Sequence, residues 1–168
     1  MRELTAARQI ALEAIELWQG EPASLQLVSD SENYVFSFTA SKKKRFLRLT
    51  SSHHRPRLQI EAELDFICYL HCGGISVSLP LTSLHGLSIE ELQVAPHTFF
   101  ACVFKEAEGE SFKFDSREAN IKHFRLLGQT LHALARKYRS SANARRLAWD
   151  EDDCILNAER SCPSPKAS

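Results

Sequence analysis

Arg48 interrupts an otherwise apolar run of Phe46, Leu47 and Leu49, and Glu63 stands inside the apolar arc of a helical pattern, three residues after Ile60 and four before Ile67. These two charges constrain the fold more than any other feature. An unpaired charge buried on either element would cost several kcal/mol or neutralise itself, so each is the natural complement of the other across a strand and the helix that follows it. Glu61 and Asp65 fall on the polar side of the same helix and make no such demand. The alternative, that Glu63 lies at the edge of the stripe and reaches water, stays open at this point.

Periodicity supplies the elements around that pair. Ile10, Ala11, Ala14, Ile15 and Trp18 recur at helical spacing, which predicts an amphipathic helix over residues 5–18, ended by Gly20 and Pro22. Short β-rich runs at 25–28, 34–38 and 45–50, separated by polar turns at 29–33 and 39–44, predict a three-stranded antiparallel meander. Lys42, Lys43 and Lys44 read as a solvated hairpin turn rather than a phosphate patch. Residues 57–72 carry Ile60, Leu64, Ile67 and His71 on one stripe, widened by Phe66 and Leu70, with Gly73 and Gly74 as a left-handed cap. The segment 75–84, which contains Pro80, holds one short strand, and 98–104 reads as a strand buried on both faces. The expected sheet has about five strands. A last helix runs through Ile121, Phe124, Leu127, Leu131, Leu134, Ala135 and Tyr138, with Arg136, Lys137 and Arg139 suiting its C-terminal dipole. Residues 140–146 read as a connection, and 157–168, polar with two prolines, as a frayed tail.

The 168 residues amount to one ordinary domain, and 43% hydrophobic with 25% charged residues is a globular composition. Lys plus Arg equals Asp plus Glu at 21 each, so no positive field gathers a phosphate backbone and nucleic acid is not an expected partner. No apolar stretch approaches about 18 residues and no secretory leader is evident, so a cytoplasmic chain without a membrane partner is expected. Five scattered cysteines fit reduced thiols. Cys68, His71 and Cys72 form the one metal-like grouping; it lacks a fourth ligand and is read as buried thiols on a helix face, so no metal site is assigned. The seven His residues offer no Ser/His/Asp arrangement with a nucleophile-elbow glycine pattern, and Gly128 reads as a close packing contact.

Several stretches, in order, resemble the aminoglycoside phosphotransferase family, the kinase-like group that includes choline and homoserine kinases. Ser31-Glu32-Asn33-Tyr34-Val35-Phe36 resembles its E-N-x-V-Y/F loop-to-strand segment, and Arg45-Phe46-Leu47-Arg48-Leu49 its third strand. Ile60-Glu61-Ala62-Glu63-Leu64, then Tyr69-Leu70 and Gly74-Ile75-Ser76-Val77, resembles the helix with the pairing glutamate and the closing G-L-P-V-P. Phe99-Phe100-Ala101-Cys102-Val103-Phe104 with Gly109 resembles the fifth strand and hinge, and Leu127-Gly128-Gln129-Thr130-Leu131-His132-Ala133-Leu134 the L-G-x-x-L-A-x-L-H helix.

The resemblance covers most of the chain and implies an α+β fold: a protein-kinase-like N-terminal lobe followed by a long helix. The implied division is an N-terminal helix at 1–20, the lobe at 21–109, and a mainly helical start of a second lobe at 110–156, ahead of the tail. It also implies ATP with Mg²⁺ as cofactors, Arg48 near the phosphates, Glu63 orienting Arg48, Ser31 and Asn33 in the loop over the phosphates, and Phe104, Lys105 and Glu106 as the adenine hinge. The family's H-G-D-x-x-x-x-N and later D-x-D segments, which supply the catalytic Asp and the metal ligands, do not occur in this sequence. No catalytic or metal-binding residue is assigned. The expectation is the nucleotide-binding half of a small-molecule kinase, inactive alone, with weak nucleotide affinity and a complementary lobe or self-association covering the last helix. The rival is a non-catalytic interaction or regulatory module built on the same lobe.

Overall fold

The computed structural model describes residues 2–94, 97–109, 117–135 and Tyr138. Helix α1, Arg2–Glu16, leads through a short 3-10 turn at Pro22–Ser24 into the meander of β1, Gln26–Ser29, β2, Tyr34–Ala40, and β3, Lys43–Ser51. Helix α2, Arg57–Cys72, follows, then β4, Pro80–Leu81, β5, Glu90–Val94, β6, His97–Lys105, and helix α3, Arg117–Ala135. The strands form one antiparallel sheet ordered β1-β2-β3-β6-β4, with β5 also pairing β6.

Period-two alternation divides the core between the two faces of the sheet. Leu47 and Leu49 of β3 and Ala101 and Val103 of β6 pack with Phe36 and Phe38 against Ile10, Ala11, Ala14 and Ile15 of α1. Phe100, Cys102 and Phe104 turn the other way and meet Ile60 and Leu64 of α2. Arg48, between Leu47 and Leu49, is thereby placed on the α2 face.

The β2–β3 connection is narrower than the sequence suggested. Only Ser41 and Lys42 turn, at φ 51° and 61°, the left-handed pair whose twist matches a two-residue hairpin. Lys43 and Lys44 already belong to β3. At the end of α1, Gly20 bonds its amide to the Ile15 carbonyl at 2.8 Å. A methyl group on Gly20 would lie 2.7 Å from both Ile15 Cβ and Phe38 Cδ2. Glycine is what lets the chain leave α1 and lie against β2.

Among the described residues the sheet has six strands, and the one the sequence reading omitted is β5. Its inward positions are Glu90, Leu92 and Val94, so a carboxylate opens the alternation and hides it. Glu90 is buried because it staples the preceding turn: the Ser83 hydroxyl donates to it and His85 Nδ1 lies 2.9 Å away. Ser83 Oγ in turn accepts the amides of His85 and Leu87 at 3.1 and 3.3 Å.

Gly74, at φ 84°, provides a left-handed end to α2, whereas Gly73, expected to share that role, has φ −78°. Cys68 and Cys72 near that end are exposed rather than buried. Ile121, Phe124, Leu126 and Leu127 of α3 are also exposed. Tyr138, beyond the end of α3, sits against α2: its hydroxyl donates to Asp65 Oδ2 at 2.6 Å and its ring lies 5.0 Å from Phe66 and 5.1 Å from Tyr69. Asp65, assigned to the polar side on spacing, has this partner. The expected connection at 140–146 and tail at 157–168 lie outside the described residues. No helix among the described residues is long and apolar enough to cross a membrane.

Candidate functional site

Arg48 reaches the α2 face with Val35 of β2 and Cys102 of β6 as its cross-strand neighbours. Its Nη1 donates to Glu63 Oε1 at 2.5 Å, a charge-assisted bond between strand and helix. The guanidinium carbon stands 5.2 Å from the centre of the Phe104 ring, within cation–π range. Glu63 retains 24% side-chain exposure and Arg48 18%. Both readings of Glu63 hold in part: it lies toward the edge of its stripe, and it is paired.

Two more charges extend the pair. Arg55, in the turn between β3 and α2, places Nη1 3.6 Å from Glu63 Oε2 and Nη2 3.9 Å from Glu32 Oε2 in the β1–β2 loop. Its backbone amide donates a hydrogen bond to the Ser51 carbonyl at 3.2 Å. The result is an alternating chain Glu32–Arg55–Glu63–Arg48 that joins loop, turn, helix and sheet.

Arg48 has donors to spare. Its Nε and Nη2 are buried with no hydrogen-bond partner among the described residues. Leaving such groups unsatisfied costs on the order of 1–3 kcal/mol, more when charged. The Cys102 thiol lies beside the guanidinium but is a weak acceptor. Burial pushes that thiol up to about 11, and Arg48 opposes the shift only in part. Cys102 is thus a protonated packing group at neutral pH and no nucleophile.

Ser31 and Asn33 occupy the β1–β2 loop. Ser31 Oγ lies 3.4 Å from Ser29 Oγ, and Asn33 Oδ1 accepts from the Thr50 hydroxyl at 2.8 Å, which ties the loop to the end of β3. Both line a cavity of about 390 Å³ that also includes Ile10, Leu49 and Phe99, so they border the α1 side rather than joining Arg48 directly. Phe104 closes over Arg48, whereas Lys105 and Glu106 lead away to a cavity of about 350 Å³ at the C-terminal end of α2. The Lys105 amide donates to the Leu79 carbonyl at 2.9 Å, and Glu106 lies 3.8 Å from Lys44 Nζ. Arg48, Glu63 and Phe104 are therefore brought together; Ser31, Asn33, Lys105 and Glu106 surround them at greater distance.

Sequence reasoning missed Arg55, Glu32 and Thr50. Arg55 stands in a polar turn beside two histidines, with no apolar periodicity to make its charge conspicuous. Among the described residues no group of three or more His, Cys, Asp or Glu side chains could hold a metal ion.

Comparison with known proteins bears on this geometry. No family model matches the chain. It is 27% identical to the amicoumacin kinase of Bacillus subtilis (strain 168) over 158 residues, 91% of this chain and 46% of that protein. The solved amicoumacin kinase hAmiN, in complex with AMP-PNP, Ca²⁺ and Ami, superposes with a TM-score of 0.78 at 29% identity, over 98% of this chain and 51% of the other. Both of these relatives are amicoumacin kinases by name. A microcompartment-associated aminopropanol kinase shares the fold, with a TM-score of 0.72 at 22% identity over 90% of this chain and 48% of that one. The chain spans about half the length of the kinases it matches.

The two Arg48 donors that lack a partner among the described residues are of the kind an anion satisfies, whereas Phe104 is buried in the core with Ile60 and Leu64.

Proposed function

We propose that this chain is the nucleotide-binding half of an ATP-dependent small-molecule kinase that transfers phosphate to a hydroxyl. The observation that carries the reading is the Arg48–Glu63 pair, a strand cation held by the carboxylate of the following helix, with two further guanidinium donors buried and unpartnered. In this reading Arg48 meets the phosphates, Glu63 fixes its direction, and the loop bearing Ser31 and Asn33 lies over the phosphate end. Backbone groups of Phe104, Lys105 and Glu106 take the adenine edge. What the bound nucleotide supplies is the transferable phosphoryl group. Phosphoryl transfer depends on positioning and charge neutralisation, and the sequence lacks the H-G-D-x-x-x-x-N segment that would place acceptor and metal. The chain alone binds nucleotide weakly and does not turn it over. The exposed Ile121, Phe124 and Leu127 of α3 are the surface a complementary lobe would cover.

The test is an NMR titration of the labelled 168-residue chain with ATP. A dissociation constant near 1 mM, about −4 kcal/mol, is expected, with shifts centred on Arg48, Glu63 and residues 104–106 and lost in Arg48→Ala. Shifts that survive Arg48→Ala, or centre on the α1 side of the sheet, would overturn the assignment. A companion assay of ATP turnover with aminoglycosides, choline and homoserine is expected to show no acceptor-dependent reaction.

A further inference from the structure

Arg48 is the phosphate cation that the kinase reading supplies. Arg55 has no role in it, yet its surroundings suit an anion better than a static salt bridge. Its two carboxylate contacts, at 3.6 and 3.9 Å, are longer than charge-assisted hydrogen bonds, which close to about 2.7–2.9 Å. Its side chain is 41% exposed, against 18% for Arg48. Such a loose, solvated pair is worth little and is readily exchanged for a stronger partner.

The turn that carries Arg55 opens directly onto the first turn of α2. Pro56 at the N-cap makes no side-chain cap bond, and that first turn contains no acidic residue. The amide ends of α2 and their positive dipole are thus left without an anionic partner from the local sequence. Arg57, in the same turn, bonds Glu61 Oε1 at 2.8 Å through Nε. The second carboxylate near Arg55, Glu32 at 3.9 Å, belongs to the β1–β2 loop, the segment assigned to the phosphate end of the nucleotide. Glu32 therefore occupies, with a single negative charge, the place that a more highly charged phosphate would take. A guanidinium fork matches a phosphate with two parallel bonds, which the staggered contacts to Glu32 and Glu63 do not achieve.

We propose that Arg55 is a second phosphate-binding residue, directed at the terminal phosphates of a nucleoside triphosphate, and that Glu32 is its competitor in the free chain. Nucleotide entry exchanges the Glu32–Arg55 contact for a phosphate–Arg55 contact, and the β1–β2 loop is released from the turn before α2 as the ligand is gripped. This inference rests on the nucleotide-site reading above.

The experiment measures affinities of the 168-residue chain for ATP, ADP and AMP by NMR titration, in the wild type and in Arg55→Ala, Arg55→Lys, Glu32→Gln and Arg48→Ala. Arg55→Ala is expected to weaken ATP about tenfold while AMP stays within about twofold, since only the outer phosphates lose a charge-assisted fork. Arg55→Lys should recover part of the loss, as a point charge without the fork. Glu32→Gln should tighten ATP severalfold by removing the competitor. Equal weakening of ATP and AMP by Arg55→Ala, unchanged ATP affinity, or weaker ATP binding in Glu32→Gln would each overturn the proposal. Loss of binding in Arg48→Ala with no response to the Arg55 and Glu32 variants would sink this inference alone. A wild-type chain that binds none of the three nucleotides would sink both.

Discussion

Glu63→Gln separates a held cation from a merely nearby one. At an effective dielectric near 20, unit charges about 4 Å apart attract by about 4 kcal/mol, and desolvation of the partly buried groups offsets much of that. Removing one partner of a buried pair costs about 3–5 kcal/mol. With Arg48 at 18% and Glu63 at 24% exposure, solvent screening lowers the expected loss for Glu63→Gln to about 2 kcal/mol. The reverse change is milder. Arg48→Met leaves Glu63 with Arg55 at 3.6 Å, whereas Glu63→Gln leaves Arg48, two of whose nitrogens already lack partners, without a carboxylate. A loss of about 1 kcal/mol is expected for Arg48→Met, and the double variant Arg48→Met with Glu63→Leu should lie within about 1 kcal/mol of wild type, because apolar replacement removes both desolvation penalties. Urea unfolding of five chains, with the Glu63→Leu single variant added, closes the cycle on Arg48→Met and Glu63→Leu and gives the coupling directly. Arg48→Met costing more than Glu63→Gln, or additive effects in the double variant, would refute the reasoning.

Three further outcomes are open to measurement. Gly20→Ala should destabilise the chain by about 1–3 kcal/mol in the same urea assay, since the added methyl at 2.7 Å from Ile15 Cβ and Phe38 Cδ2 has no free space to enter. Cys102 has its folded pKa raised from 9.0 to about 11, so its contribution is fully present below pH 9 and falls as pH rises through 11. Wild type should lose up to roughly 2–3 kcal/mol over that window relative to Cys102→Ala, and parallel pH profiles of the two would contradict this. Thr50→Val removes the hydroxyl that Asn33 Oδ1 accepts; about 1 kcal/mol of stability should be lost and amide exchange at 30–33 should accelerate, with unchanged exchange counting against the loop anchor.

What could be read in advance was set by local pattern. The bounds of α2 and the three strands of the meander follow from clean periods of 3.6 and 2 between strong breakers. The Arg48–Glu63 pair was legible because each charge violates an apolar pattern, and a violation needs a partner. β5 was missed because its first inward residue is Glu90, whose burial depends on Ser83 and His85 in the preceding turn. Arg55 and Glu32 violate nothing locally, and their meeting depends on how the β1–β2 loop folds toward the start of α2. Cys68 and Cys72 lie on the same helix as buried Ile60 and Leu64, yet at positions that the sheet leaves uncovered.

The central position of β6 dictates the order of events on the ribosome. It is the last strand among the described residues, and it hydrogen-bonds β3 along one edge and both β4 and β5 along the other. It also supplies Ala101 and Val103 to the surface on which α1 rests. Between the end of α1 at Glu16 and the end of β6 at Lys105, about 90 residues must emerge, which takes roughly 5–20 s at translation rates of about 5–20 residues per second. During that interval the nascent chain exposes an amphipathic helix and an incomplete sheet edge, features that chaperones bind and that aggregation exploits. Protease resistance should therefore appear in one step, when residue 105 has cleared the exit tunnel, rather than element by element.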